Sequence, residues 1–315
     1  MFSSKNYSDQ IKKILLLFFP FSLLLGPAVL NIYIFIFIIL FLYLYKLEPI
    51  LTYKYCFFSS LILSIYLIFA SSLQYLSYDS FIKSLLFFRF PLFAIITALV
   101  FYKFSILEKY LKIIMFIFIF LFFDSFIQFF FQKNIFLQEP LTTGNVYRIT
   151  SVFGNESILG SYILKIVYPS LIIFSLKYKK NNFLFLLFFI LSLLLVIISG
   201  ERIILLKYLF LNLILFLFLK KYKYLFLTIS LSIVLISLFF YSSDYFNERL
   251  IRFYEAVINF INTPYFPIFE KAYLIAKENL LFGAGFKNFR NVCSYEQYAL
   301  TISYMIDNGC STHPH

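Results

Sequence analysis

The sequence predicts an all-α fold: a polytopic transmembrane bundle of about nine spans, ending in a long mixed loop on the outer side. Three observations predict it. Hydrophobic residues make up 62% of the 315-residue chain and charged residues 13%, with a mean hydropathy of +0.89; a soluble domain of this length cannot hide so much apolar surface. Apolar runs long enough to cross a bilayer recur along the chain. The lysines gather in short stretches between those runs, which makes the net charge of +12 a topology signal rather than a nucleic-acid-binding surface.

Taken in order, the run Ile14 to Tyr45 is too long for one helix of about 20 residues. Pro20, Gly26, Pro27 and Asn31 interrupt it, so it predicts two short helices hinged near Gly26-Pro27. Lysines precede it, but no small-residue cleavage pattern follows, and the run reads as a retained first span. Further spans are expected over Tyr55 to Leu76, Lys83 to Tyr102, Leu111 to Phe131, Ile158 to Leu176, Phe183 to Ser199, Arg202 to Leu219 and Lys223 to Tyr241. Residues 1–243 then form the bundle and residues 244–315 a loop that does not cross again. With nine spans the basic clusters at Lys5/Lys12/Lys13, Lys46/Lys54, Lys103/Lys109/Lys112, Lys177/Lys179/Lys180 and Lys220/Lys221/Lys223 all fall on one side, the cytoplasm. Gln132 to Ser157, the turn Gly200-Glu201-Arg202 and everything after Ser242 then face outward.

Ionisable groups inside spans cost about 3 kcal/mol each and need a partner, a cavity or a function. Arg89, Asp124, Lys165 and Lys207 are the groups concerned, and at 1.5 Å per residue all lie within roughly 10 Å of the outer face. Asp124 and Gln128 share a helix face by their i, i+4 spacing. An outward-facing polar cavity walled by Arg89, Asp124, Gln128, Glu156 and Glu201, with Arg89 and Asp124 as an ion pair, accounts for them. Snorkelling to the interface is the alternative for the two lysines.

Two motifs flank this region. Arg148 leads into SVFGNESILGSY (151–162), where Gly154 permits a tight turn and Asn155 or Ser157 offers a helix cap. Ser199-Gly-Glu-Arg202 repeats the arrangement of a short turn with an Arg at a helix start; Arg suits forked contacts to phosphate oxygens, although Glu201 and Arg202 simply pairing in a surface turn is the plainer alternative. In the terminal segment Gly283 and Gly285 mark a loop. Cys293 and Cys310 lie in the outward part, where an oxidising compartment joins them in a disulfide; a zinc site built from them with His313 and His315 fits no standard spacing. His313 and His315 are the only histidines of the chain. Near pKa 6.5 a neutral imidazole can accept a hydroxyl proton, or it is a solvated loop side chain.

In this combination the chain resembles the O-antigen ligase and O-antigen polymerase superfamily of bacterial inner-membrane glycosyltransferases. Arg148 with SVFGNESILGSY, SGER at 199–202, FGAGFKNFRNVC at 282–293 and CSTHPH at 310–315 carry the resemblance, which covers roughly the second half of the chain. It implies a role in lipopolysaccharide or other cell-surface polysaccharide biosynthesis, on the periplasmic face. A glycan would move from an undecaprenyl-diphosphate-linked saccharide donor to a lipid A core sugar or another lipid-linked glycan, with no cofactor and no metal. It implies that Arg148 and Arg202 bind the diphosphate and that a His of the HPH motif, His315 or His313, activates the acceptor hydroxyl. Family members continue past this motif with an Asn and further spans, so the resemblance also implies that the chain is incomplete at its C-terminal end. A lipid-linked polysaccharide flippase or a non-catalytic assembly partner is the alternative. A flippase predicts charge through the whole membrane depth, whereas here it is confined to the outer half.

Overall fold

Backbone polar groups in lipid must be satisfied within the chain, which drives apolar runs into helices. A computed structural model shows them so. It describes residues 17–45, 53–73, 77–104, 106–143, 146–177, 182–218, 220, 222–242, 251, 254–255, 258–263, 265–298 and 310. This is a membrane protein whose helices coincide with the predicted segments to within a few residues. Three of them, Lys54–Leu73, Tyr78–Tyr102 and Leu107–Phe131, are long and apolar enough to cross a bilayer, and the other apolar helices are shorter.

The described residues fall into two compact units. One unit combines residues 31–104 with those from 254 onward, and the other combines 17–30 with 106–251.

Helix α1 (17–24) ends at Gly26, whose φ of 102° is open to glycine, and Pro27 opens α2 (Pro27–Tyr45), where its missing N–H costs nothing. The expected hinge is there. Helix α3 (Lys54–Leu73) packs on α4 (Tyr78–Leu85), which Ser77 caps through the Ser80 N–H; a 3₁₀ turn at Leu86–Phe88 carries the chain into α5 (Arg89–Phe104).

The C-terminal segment of the same unit seats on α3 and α4. The Ser80 hydroxyl donates to Phe286 O at 2.6 Å, the Phe286 N–H donates to Ser71 Oγ at 3.3 Å, and Tyr66 donates to Leu281 O while stacking on Phe282. Glycine at 285 permits this approach, since a Cβ there would lie 3.2 Å from Ala70 O. Helix α12 (Tyr265–Glu278) and the short α13 (Phe289–Val292) enclose a small core of Ile275, Val292, Cys293 and Tyr298.

In the other unit α6 (Leu107–Phe131) ends at left-handed Gln132, and an irregular loop follows. The loop holds a hairpin of two three-residue strands, β1 (Leu141–Thr143) and β2 (Val146–Arg148), an addition to the all-α expectation. Helix α7 (Leu159–Tyr162) continues through a π turn, Ile163–Val167, into α8 (Tyr168–Lys177). Pro169, two residues past the π turn, has no N–H for a regular bond back to Lys165, which explains why the turn widens there. Helices α9 (Asn182–Ser199), α10 (Arg202–Phe218) and α11 (Tyr222–Ser242) complete the unit. The sequence of α9 is apolar all round, and the helix is accordingly central, packed by α6, α7, α8, α10 and α11. Inside it Ser192 and Tyr208 share a hydrogen bond of 2.6 Å and Tyr168 donates to Asn212 at 3.1 Å, polar links between helices that lipid on either side would strengthen.

Gly285→Ala is expected to destabilise the protein by about 1–3 kcal/mol, since it adds a close backbone contact to a positive φ. Gly283, also at positive φ but with nothing within 4 Å of an added Cβ, bears the strain alone. Gly283→Ala should therefore lower the melting temperature in detergent by less; equal drops would show that the contact with Ala70 contributes nothing.

Candidate functional site

The C-terminal end of α6 fixes the loop that follows it. Asp124 and Gln128, one helical turn apart, are both fully buried. Asp124 Oδ1 accepts the Ile135 N–H at 2.9 Å and its other oxygen accepts the Ser151 hydroxyl. Gln128 Oε1 accepts the N–H groups of Thr150 (3.0 Å) and Ser151 (2.7 Å), and its amide donates to Gln138 O at 3.3 Å. These two side chains therefore hold the loop. They also hold Ser151 in a left-handed conformation (φ 54°) that a non-glycine residue adopts only under constraint. A second clip, Asn134, donates to Ser151 O and Gln138 Oε1 and accepts the Gln138 N–H at 2.7 Å.

The expected Arg89–Asp124 ion pair would join residues of different compact units. The Asp124 oxygens are taken by the loop, whereas Arg89 belongs to the other compact unit, donates to Asn31 Oδ1 at 2.9 Å and sits over the Phe90 ring. Distance along the bilayer normal, the basis of that expectation, says nothing about lateral placement. Glu156 is exposed, and only its backbone is engaged, in the turn after Phe153.

The second motif closes on the first. Gly200 (φ 68°) turns the chain between α9 and α10, and Glu201 accepts the Gly160 N–H on Oε1 at 2.6 Å, across 41 residues of sequence. The start of α7 has no side-chain cap of its own; Glu201 fills that role in place of Asn155 or Ser157. Glycine at 160 is what admits this, because a Cβ there would lie 2.7 Å from Ser199 Oγ and 3.0 Å from Glu201 Oε1.

Ser157 instead accepts from Arg148 Nη1 at 3.2 Å. Burial raises the Glu201 carboxyl above its ordinary value of 4.5, opposed by the Gly160 and Ser161 N–H groups and then by the charges of Arg148 and Lys165. Arg148 and Lys165 are thus close enough to act on one carboxylate. Lys165 is exposed on the π turn, and Lys207 is exposed on α10. Arg202 is the first residue of α10, directly after Glu201; its side chain lies outside the described residues.

Cys293 and Cys310 are joined in a disulfide with Cα atoms 5.6 Å apart, and the buried Lys271 donates to Cys293 O at 3.1 Å. His313 and His315 lie outside the described residues. Sequence reasoning missed the role of Gly160, the Asn134–Gln138 clip and the use of Ser157. Only the spacing of Asn134 and Gln138, four residues apart in a polar stretch, gave a local signal. No protein-family model, curated protein or solved structure matches the chain.

Asp124→Ala leaves a buried N–H and a buried hydroxyl without an acceptor and is expected to cost about 3 kcal/mol, seen as a lower unfolding midpoint in detergent; Asp124→Asn, which keeps one acceptor, should cost less. For Glu201 the folded carboxyl binds its proton more tightly than an ordinary one. Its contribution to stability is therefore full below the ordinary carboxylate range and is lost as pH rises through the raised value. Melting curves across that window should flatten in Glu201→Gln, and an unchanged slope would remove Glu201 as the titrating group.

Proposed function

We propose that this chain is a metal-independent membrane glycosyltransferase of the O-antigen ligase or polymerase kind. It would have nine spans and a cytoplasmic N-terminus, and its outer loop, SGER turn and C-terminal segment would face the periplasm of a bacterial inner membrane. The observation that carries this reading is the meeting of two distant motifs at Gly160 and Glu201, with Arg148 and Lys165 both acting on the same carboxylate.

In the proposed reaction an acceptor sugar hydroxyl attacks the anomeric carbon of an undecaprenyl-diphosphate-linked saccharide. The new C–O bond forms as the bond to the diphosphate breaks, with inversion. The leaving diphosphate gathers negative charge, and fixed cations aimed at it lower the barrier. Arg148 supplies a forked donor from a strand tethered by its hairpin partner, Lys165 adds a second cation, and Arg202 enters as the first residue of its helix. Glu201 keeps the two motifs together and moderates the positive charge of the empty site. The hydroxyl proton passes to a histidine of the HPH motif, His315 or His313.

The test is transfer of a labelled glycan from an undecaprenyl-diphosphate donor by the protein reconstituted in liposomes. Arg148→Ala is expected to lower kcat/KM by about a hundredfold or more, and Arg148→Lys, which keeps the charge and loses the fork, by less. Transfer that persists unchanged in Arg148→Ala, Arg202→Ala and His315→Ala ends this reading.

A further inference from the structure

Helix α12 carries two apolar faces. Ile268 and Ile275 are buried, and Ile275 packs in the small core with Val292, Cys293 and Tyr298. Phe269 and Tyr273 are 50% and 66% exposed, Ala276 is exposed, and Leu280 follows one turn later at 87%. At about 100° per residue these four positions fall within roughly 60° of one another, a continuous apolar stripe turned away from the core. In water the rest of a one-sided helix is polar, so a second apolar face marks a surface with a partner.

The partner follows from where the stripe ends. The next residues, 281–286, run along the side of α3, a helix long and apolar enough to cross a bilayer. Phe286 meets Ser71 and Ser80, Gly285 lies against Ala70 and Ser71, and Leu281 and Phe282 meet Tyr66. Position 71 to position 66 is about 7.5 Å along a helix, so the segment descends beside the span instead of stopping at its end, Leu73. Leu281, at the deep end of this ladder, is 76% exposed, and so are its neighbours in level on α3, Ile62, Tyr66 and Phe69. The backbone suits that depth. Irregular chain is tolerated within a bilayer only where protein satisfies its polar groups. Here Tyr66 donates to Leu281 O, and Ser71 and Ser80 serve the N–H and C=O of Phe286. Within the segment the Gly283 N–H donates to Asn279 O at 2.8 Å and the Gly285 N–H to Phe282 O at 3.3 Å.

We infer that α12 and the turn after it form a lipid-inserted anchor. Leu280 and Leu281 enter the acyl region beside α3, and α12 lies along the membrane surface with Phe269, Tyr273 and Ala276 in the lipid. The partner of the stripe is phospholipid, not a second protein. Membrane-surface helices bury such a face about 5–10 Å into the headgroup boundary. Lys277, exposed beside the stripe, reaches headgroup phosphates from there while its stem covers apolar surface. The C-terminal segment, expected to face outward without crossing again, thus dips into one leaflet. The inference rests on α3 spanning the bilayer and is independent of the transfer reading.

The chain contains no tryptophan, so a single introduced one reports alone. Phe269→Trp, Tyr273→Trp, Leu280→Trp and Leu281→Trp, all at exposed positions, are made one at a time. Each protein is reconstituted at one molecule per phosphatidylcholine nanodisc, with and without lipid brominated along its acyl chains. Leu63→Trp, exposed on α3, gives the response of a residue in contact with lipid. Leu280→Trp and Leu281→Trp are expected to lose emission to the brominated lipid as strongly as Leu63→Trp, about twofold, and Phe269→Trp and Tyr273→Trp to lose less. All four should emit to the blue of a free tryptophan amide. Emission at the free amide's wavelength with strong quenching by aqueous iodide would show a stripe in water and overturn the proposal. Blue emission untouched by brominated lipid would show protein covering the stripe and overturn it equally. A Leu63→Trp that brominated lipid does not quench removes the spanning helix on which the inference rests. Quenching is read without turnover, so neither this result nor that of the Arg148 experiment decides the other.

Discussion

An irregular loop at the edge of a bilayer has to satisfy its backbone without water, and here two side chains of one helix do so. Asp124 and Gln128 give four acceptor contacts to Ile135, Thr150 and Ser151. An unpaired polar group at that depth costs several kcal/mol, so the loop has no comparable alternative position. Everything chemical in that unit hangs from this attachment. The hairpin that carries Arg148 and the turn at Gly154 are parts of the one loop, and each inherits its place from a helix that packs on the central α9. The intramembrane carboxylate is an architectural group whose service to the site is positional.

The second dependency is between motifs. Gly160 opens one helix and Glu201 precedes another, and their hydrogen bond makes the two helix starts a single corner. A carboxylate bound to two N–H groups and attracted by two cations occupies the sort of environment a phosphate oxygen would. The corner therefore carries its own internal counter-charge to Arg148 and Lys165. Burial raises the cost of that carboxylate's charge, and the cations offset it.

Much of the helical frame was legible from local pattern. Run length and interruption located the helices, and Gly26-Pro27 marked the break between α1 and α2, because these depend on residues close in sequence. The partners of the polar groups were not legible. Asp124 and Gln128 were correctly placed on one face, but that face meets a loop backbone, and backbone N–H groups leave no trace in side-chain pattern. Arg89 donates to Asn31, a partner that hydropathy does not reveal, since it orders residues along the bilayer normal and is silent on lateral arrangement. The glycines illustrate the same limit. Gly160 and Gly285 lie in stretches the sequence singled out, but what each must leave room for, Ser199 and Ala70, only the assembled chain reveals.

The π turn at Ile163–Val167 has a geometric consequence for the site. Gly160 addresses Glu201 and Tyr168 addresses Asn212, so both must point toward α10 although eight residues separate them. In a regular α-helix, at about 100° per residue, positions eight apart diverge by roughly 80° around the axis. A π turn closes its bonds one residue later and advances less per residue, which removes most of that divergence. The widened turn thus acts as a phase corrector, bringing the two ends of the rod onto the same azimuth.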